Sequence, residues 1–262
     1  MNPTLQQTNI AIAADVLSAR RLNSSTGPHL PEPCRPATVA AALAIQAAVS
    51  ARLGQPIGAW KCGLPASDGL SQLPVLAPIY VDTIYRGNDD VPCAGPIKIE
   101  PELAFILRHD LPARDQPYLP ADVDAAIGAT HLALELIGSR YDSPGEVGFL
   151  EHLADGLHNQ GLYLGPEIDS AQARSASAMT LQLQLGTKAE ATTILAGRHP
   201  ATDPRAPLYW LAEYLRSQGQ RLRAGQAIIT GAYVASFEVP TDTQIMLRYG
   251  DLGLVKIQFR QR

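Results

Sequence analysis

Along the first fifty residues apolar positions recur with helical spacing and are diluted by alanine. Ile10, Ile12, Leu17 and Leu22 predict a helix over 8–22, with Arg20 and Arg21 near its end, where basic side chains meet the exposed carbonyls. Asn23 to Pro36 is rich in Ser, Gly and Pro and forbids a long regular element. A second Ala-rich helix is predicted from about Pro36 to Leu53, with Pro36 in its first turn and Gly54 just past its end. After Gly54 the texture changes to short apolar runs separated by Pro and Gly: Ile57–Trp60, Val75–Tyr80, Ile97–Leu107, Leu162–Leu164, Met179–Leu185, Ala227–Ile229, Ile245–Leu247 and Leu254–Phe259. Such runs read as strands of a sandwich or barrel, interrupted by helices at about 121–133 and 204–217. The expected organisation is a helical arm over 1–54 and a β-rich catalytic domain over 55–262.

Composition narrows the function classes. The 262 residues are 46% hydrophobic and 18% charged, an ordinary globular balance, and 21 Lys and Arg against 25 Asp and Glu give a net charge of −4. No basic excess marks a nucleic-acid surface, and no apolar run approaches the roughly 18 residues of a membrane helix. Cys34, Cys62 and Cys93 form no CxxC pair, and no secretory leader is visible, so a reduced, cytoplasmic protein is expected. Serine-hydrolase elbow, dinucleotide fingerprint and P-loop are all missing from the sequence.

The chemistry concentrates in Ile97-Lys98-Ile99-Glu100-Pro101-Glu102-Leu103-Ala104. On a strand, Glu100 and Glu102 share a face about 7 Å apart. Like charges that close raise each other's pKa unless a cation lies between them, and a hard divalent ion such as Mg²⁺ is the simplest partner. Pro101 predicts a bulge or an edge there. A solvated Glu-Pro-Glu turn fits the same residues. Glu135 stands among aliphatic residues in Leu134-Glu135-Leu136-Ile137 and needs a metal, an arginine such as Arg140, or exposure on a helix running on from Asp122. Lys61, after Ile57–Trp60 and before Gly63, either ends a strand in solvent or enters a cleft where desolvation lowers its pKa and makes it an acid or base. Asp82 carries the same alternatives. His109, His131 and His152 lack metal-ligand spacing and read as structural.

An ordered set of pieces then carries a resemblance. Lys61-Cys62-Gly63-Leu64, the run to Tyr80 and Asp82, Ile99-Glu100-Pro101-Glu102-Leu103-Ala104, and Ala133 through Arg140 are followed by Asp203-Pro204-Arg205, Thr230-Gly231-Ala232 and Leu252-Gly253-Leu254-Val255. The chain resembles the 2-hydroxypentadienoate (2-keto-4-pentenoate) hydratase and 4-oxalocrotonate decarboxylase branch of the fumarylacetoacetate hydrolase superfamily. The resemblance implies an α+β fold, a β-rich roll with an N-terminal helical arm. It implies Glu100, Glu102 and Glu135 as ligands of Mg²⁺ or Mn²⁺, and Lys61 with Asp82 as proton-moving groups. It also implies Leu64, Arg140, Gln160, Thr230 and Gly231 around a small 2-oxo acid substrate. A homo-oligomer follows from it, with a homologous pathway enzyme as a further associate. The chain departs from the pattern at Gly156-Leu157-His158-Asn159-Gln160, where relatives show Asp-Asn-Ala-Ser, so His158 and Asn159 become candidates for altered catalysis. The expected activity is water addition to a short 2-hydroxydienoate. Alternatives are decarboxylation of a 2-oxo-enedioate anchored by Arg140 or Arg205, acylpyruvate-type hydrolysis using His158, and a non-catalytic binding role.

Overall fold

The computed structural model describes residues 3–67, 72–87, 90–186 and 192–261. Helices α1 (Pro3–Leu22) and α2 (Val39–Leu53) open the chain. The hydroxyl of Thr38 accepts from the Ala41 amide and caps α2, and Gly54 closes it at φ 63°, a left-handed conformation that glycine adopts without a Cβ penalty. Pro36 therefore lies before the cap, outside the first turn. Ala13, Ala14, Leu17, Ala42, Ile45 and Val49 let the two helices approach closely, and Leu153 of α4 (Phe149–Asp155) completes the cluster. Gln46 ties this layer to the sheet by donating to the carbonyls of Leu76 and Leu153.

The strands are β1 (Ile57–Ser67), β2 (Gln72–Tyr80), β3 (Ile84–Arg86), β4 (Val91–Cys93), β5 (Ile97–Leu107), β6 (Ile127–Ile137), β7 (Asn159–Ile168), β8 (Ala178–Leu185), β9 (Thr192–Arg198), β10 (Ala227–Ile229), β11 (Phe237–Val239), β12 (Gln244–Tyr249) and β13 (Gly253–Gln261). A curled larger sheet runs β2-β1-β10-β5-β6-β7-β3, with β11 pairing the start of β5; a smaller sheet runs β4-β13-β12-β8-β9. Helices α3 (Pro120–Ala126), α5 (Ser170–Arg174) and α6 (Ala206–Ser217) fill the connections. Among the described residues no helix is long and apolar enough to cross a membrane.

Strand alternation sorts the central pair β5–β6 into two faces. Ile99, Leu103 and Phe105 with Leu132, Leu134 and Leu136 join the main core, packed with Ile245, Leu247, Val255 and Phe259 of the smaller sheet. The Tyr249 hydroxyl crosses the core to donate to the Ala133 carbonyl at 2.6 Å. The other face carries Ala104 and Ala133 with Ala59, Ala227, Ile229 and Leu162, a lining of mostly small side chains. Small residues there leave room over the sheet, and the charged residues of β5 and β6 point into it.

A further expectation changes and another is narrowed. The helix predicted over 121–133 stops at Ala126, and the chain continues as β6. Gly128 interrupts helical continuity, and Leu132, Leu134 and Leu136 alternate as a buried strand requires. Glu135 is thus not an exposed helical residue. At Pro101 the edge alternative holds and the bulge does not: toward β6 the register runs unbroken through Glu100↔Glu135, Pro101↔Leu134 and Glu102↔Ala133. On its other side β5 pairs β11 at 97–99 and β10 at 104–106, so Pro101 falls in the gap between them, where no ladder bond needs its missing N–H.

Candidate functional site

The register of β5 and β6 places Glu100 directly opposite Glu135, with Glu102 one pleat further on the same face. One oxygen from each of the three carboxylates lies within 4.8 Å of the others. Glu135 is wholly buried and Glu102 nearly so. Burial, then the neighbouring Glu135 charge, pushes Glu100 up and Glu102 well above the ordinary carboxylate range. The Gly231 amide donates to Glu102 Oε2 at 2.7 Å, and Gly231 sits at φ 135°, a backbone geometry that favours glycine.

Lys61 reaches this group from β1. Lys61 pairs with Ile229 of β10, which in turn pairs with Ala104 of β5, so alternation carries the lysine to the carboxylate face. Its ammonium lies 2.8 Å from Glu135 Oε1 and donates to the Leu157 carbonyl at 3.1 Å. The expected depression of its pKa is not found. Burial pulls the ammonium down, but the charge and hydrogen bond of Glu135, joined by Glu100 and Glu102, outweigh it and raise the pKa. Gly156, Leu157 and His158 follow one another in the left-handed region, at φ 91°, 52° and 65°. Left-handed non-glycine residues cost on the order of 1 kcal/mol each, so this turn is held by its surroundings and delivers the Leu157 carbonyl to Lys61.

Asn159, at the start of β7, donates from Nδ2 to Glu135 Oε1 at 2.8 Å and to the Gly161 carbonyl at 3.3 Å. Glu135 Oε1 is therefore held by lysine and asparagine, while Oε2 is buried with no hydrogen-bond partner. Fully ionised, three carboxylates against one ammonium would leave two uncompensated negative charges, which is why Glu100 and Glu102 are pushed up when no further cation is present. An all-oxygen donor set with that charge fits a hard divalent cation, and the orphaned Oε2 is an open ligand atom. A cleft of about 390 Å³ opens over the group, lined by Lys61, Gly63, Leu64, Pro200, Ala201 and Gly231 among others.

No protein-family profile matches the chain. Among curated proteins it is 25% identical to a 4-oxalocrotonate decarboxylase of Pseudomonas putida over 270 aligned residues, 99% of this chain and all of the relative. It is 26% identical to a 2-keto-4-pentenoate hydratase of Paraburkholderia phymatum over 264, covering 96% and 97% of the two chains. In three dimensions it matches the 4-oxalocrotonate decarboxylase of Pseudomonas putida G7, solved with magnesium and adipate, at a TM-score of 0.79 and 21% identity over 97% of this chain and 98% of that one. The chain is a relative of these hydratases and decarboxylases, with the fumarylacetoacetate hydrolase-type fold. Like them it is an α+β protein with helices at its N-terminus and a curled sheet.

The remaining expected residues divide. Leu64 lies on the cleft rim, 47% exposed. Thr230 is fully buried behind Gly231, its hydroxyl 3.4 Å from His199 Nε2, and does not line the cleft. Asp82 is exposed in a 3-10 turn over Val81–Thr83 and lines a different cavity, together with Arg140 and Gln160. Arg140 is buried and holds Asp155 through Nε at 2.7 and 2.9 Å, with Nη1 on Gln160 Oε1 at 2.7 Å. Neither lines the carboxylate cleft, because Arg140 is drawn to the buried Asp155 carboxylate. Arg205 is likewise spent on Asp124 at 2.9 Å. The His158 ring packs on His152, centroids 4.1 Å apart, and its own carbonyl accepts from Gly138. Burial, then His152, lowers its pKa to about 4, and it does not line the cleft. The sequence reading missed the Leu157 carbonyl as the partner of Lys61; no side-chain signal exists for a backbone group presented by left-handed residues.

Proposed function

We propose that this protein is a divalent-metal-dependent lyase that adds water to a short 2-hydroxydienoate or its 2-oxo-enoate tautomer, giving a 4-hydroxy-2-oxo acid. The reading rests on one observation: the buried Glu100/Glu102/Glu135 cluster beside Lys61 in a small cleft. Glu100, Glu102 and Glu135 would hold Mg²⁺ or Mn²⁺, which when bound would supply Lewis-acid polarisation of a 2-oxo acid. Asn159 and Lys61 fix Glu135 from one side and leave Oε2 for the ion. The Lys61 ammonium, steadied by the Leu157 carbonyl, is the cleft's proton carrier and moves a proton to or from the substrate carbon chain as the dienol ketonises. Gly231 keeps Glu102 in place through its amide and, having no side chain, lets the substrate carboxylate approach the backbone. The apolar walls at Leu64, Pro200 and Ala201 exclude bulk water around the reacting carbons.

The cleft's charge favours a monocarboxylate. Among its described lining residues Lys61 is the one cation, and Arg140 and Arg205 are engaged with Asp155 and Asp124. A second carboxylate would lack an anchor, which weighs against decarboxylation of a 2-oxo-enedioate. The full-length kinship with the Pseudomonas putida decarboxylase keeps that reaction as the second reading. Ultraviolet-monitored turnover of 2-hydroxypenta-2,4-dienoate and a carboxylated analogue, in Mg²⁺ and in chelator, separates them. Metal-dependent loss of the dienol band with a 4-hydroxy-2-oxo product is the expected result. Carbon dioxide release from the dicarboxylate would move the assignment to decarboxylation, and turnover unaffected by chelator would refute the metal.

A further inference from the structure

Behind the carboxylate face lies a second cavity of about 580 Å³ with the opposite charge. Of its lining residues Arg20, Arg21 and Arg140 are cationic and Asp82 alone is acidic. Ile97 and Leu136, which line it, belong to the face of β5 and β6 opposite Glu100 and Glu135, so the sheet separates the two places. Arg140 is 2% exposed, and the Arg21 side chain 11%. Both lean on one carboxylate: Arg140 grips Asp155 through Nε, and Arg21 donates from Nη2 to the Asp155 carbonyl at 2.9 Å, with Asp155 Oδ1 3.9 Å away. Arg21 Nε is buried and has no hydrogen-bond partner. Burial, then the facing Arg140, pulls the Arg21 guanidinium down to about 10, as expected where two buried cations share too little negative charge. The hydroxyl residues Ser24, Ser25, Thr26 and Ser139 stand along the same wall.

We infer that this cavity binds a small organic acid, its carboxylate on Arg21, whose Nε has no partner within the protein, and its short carbon chain against Ile97, Leu136 and Val91. Guanidiniums match a carboxylate's paired oxygens, and the apolar half of the wall distinguishes an organic acid from a bare inorganic anion. The site is wired to the carboxylate cluster. Arg21 Nη1 donates to the Asn159 carbonyl at 3.2 Å, and the Asn159 side chain holds Glu135.

Calorimetric titration with butanoate of the full-length chain, stripped of metal and then dialysed free of chelator, tests this, since the metal-free cleft is anionic and unable to take a carboxylate. One site with a Kd on the order of 1 mM is expected. Arg21→Gln weakens it at least tenfold, and Ala94→Trp, a bulky side chain on the exposed rim that removes no buried charge, does the same. Should Arg21→Gln fail to fold, Ala94→Trp carries the test alone. Absence of butanoate binding, or binding unchanged in Ala94→Trp, overturns the site. Inorganic phosphate binding there while butanoate does not would overturn its assignment to an organic acid.

Discussion

The two faces of β5 and β6 are built from the same strands and carry opposite charge. On one, three carboxylates surround a single ammonium. On the other, beyond Leu136 and Ile97, two buried guanidiniums share Asp155. Neither place is neutral by itself, and the sheet between them is apolar. What decides the sign is the period of two: Glu135 and Leu136 are neighbours in sequence and face different compartments. Burying unbalanced charge is costly, so each face is built for a ligand of the opposite sign, a cation in front and an anion behind.

The comparison can be broken first at the front. Glu102→Ala removes a buried ligand without touching Arg140, and turnover is expected to fall at least about 1,000-fold, together with Mg²⁺ binding measured by calorimetry. Activity near that of the unaltered protein would detach the carboxylates from the chemistry. At the back, Arg140→Ala leaves Asp155 buried without its bidentate partner, and urea unfolding should show a loss of about 3–5 kcal/mol, with the front ligands still present. Between the two, Asn159→Ala removes the support of Glu135 Oε1 and is expected to weaken metal binding about 10- to 100-fold while leaving substrate specificity alone. A fall in stability with unaltered metal affinity would make Asn159 a purely structural residue.

The smallest effect is in pH. His158 has a pKa of about 4 in the folded protein against an ordinary value of 6.5. The unfolded chain therefore binds the proton first, and the stability associated with neutral His158 is present above about pH 6.5 and lost as pH falls toward 4. His158 is partly exposed, which keeps the effect modest. Unfolding midpoints of the unaltered protein and His158→Gln should diverge across that window, and parallel profiles would remove His158 as the cause.

Much of this was legible in the sequence, for identifiable reasons. Gly54 marks the end of α2 because a C-cap is local, whereas Pro36 points to a start two residues before Thr38, the residue that caps it; Ile97–Leu107 reads as a strand because its apolar residues alternate over many positions. The Glu100–Glu102 spacing carried their common face. The failures were non-local. Nothing near Ala126 says that Ile127–Ile137 pairs with β5, yet that pairing sets Glu135 against Glu100. Pro101 signals a bulge or an edge, and what decides for the edge is the gap between β10 and β11, formed by residues more than a hundred positions away. Asp155 holds Arg140, and through it Gln160, away from the carboxylate cleft, a contact that no local pattern announces. Charge pairing across the fold, unlike periodicity, has no signature along the chain.

The most direct test of the carboxylate centre is calorimetric titration of chelator-stripped protein with Mg²⁺ and Mn²⁺, beside Glu135→Gln as the control. One divalent site per chain, lost in the variant and required for turnover of 2-hydroxypenta-2,4-dienoate, is the predicted result. Equal binding by the variant, or full turnover in the stripped protein, would contradict the account.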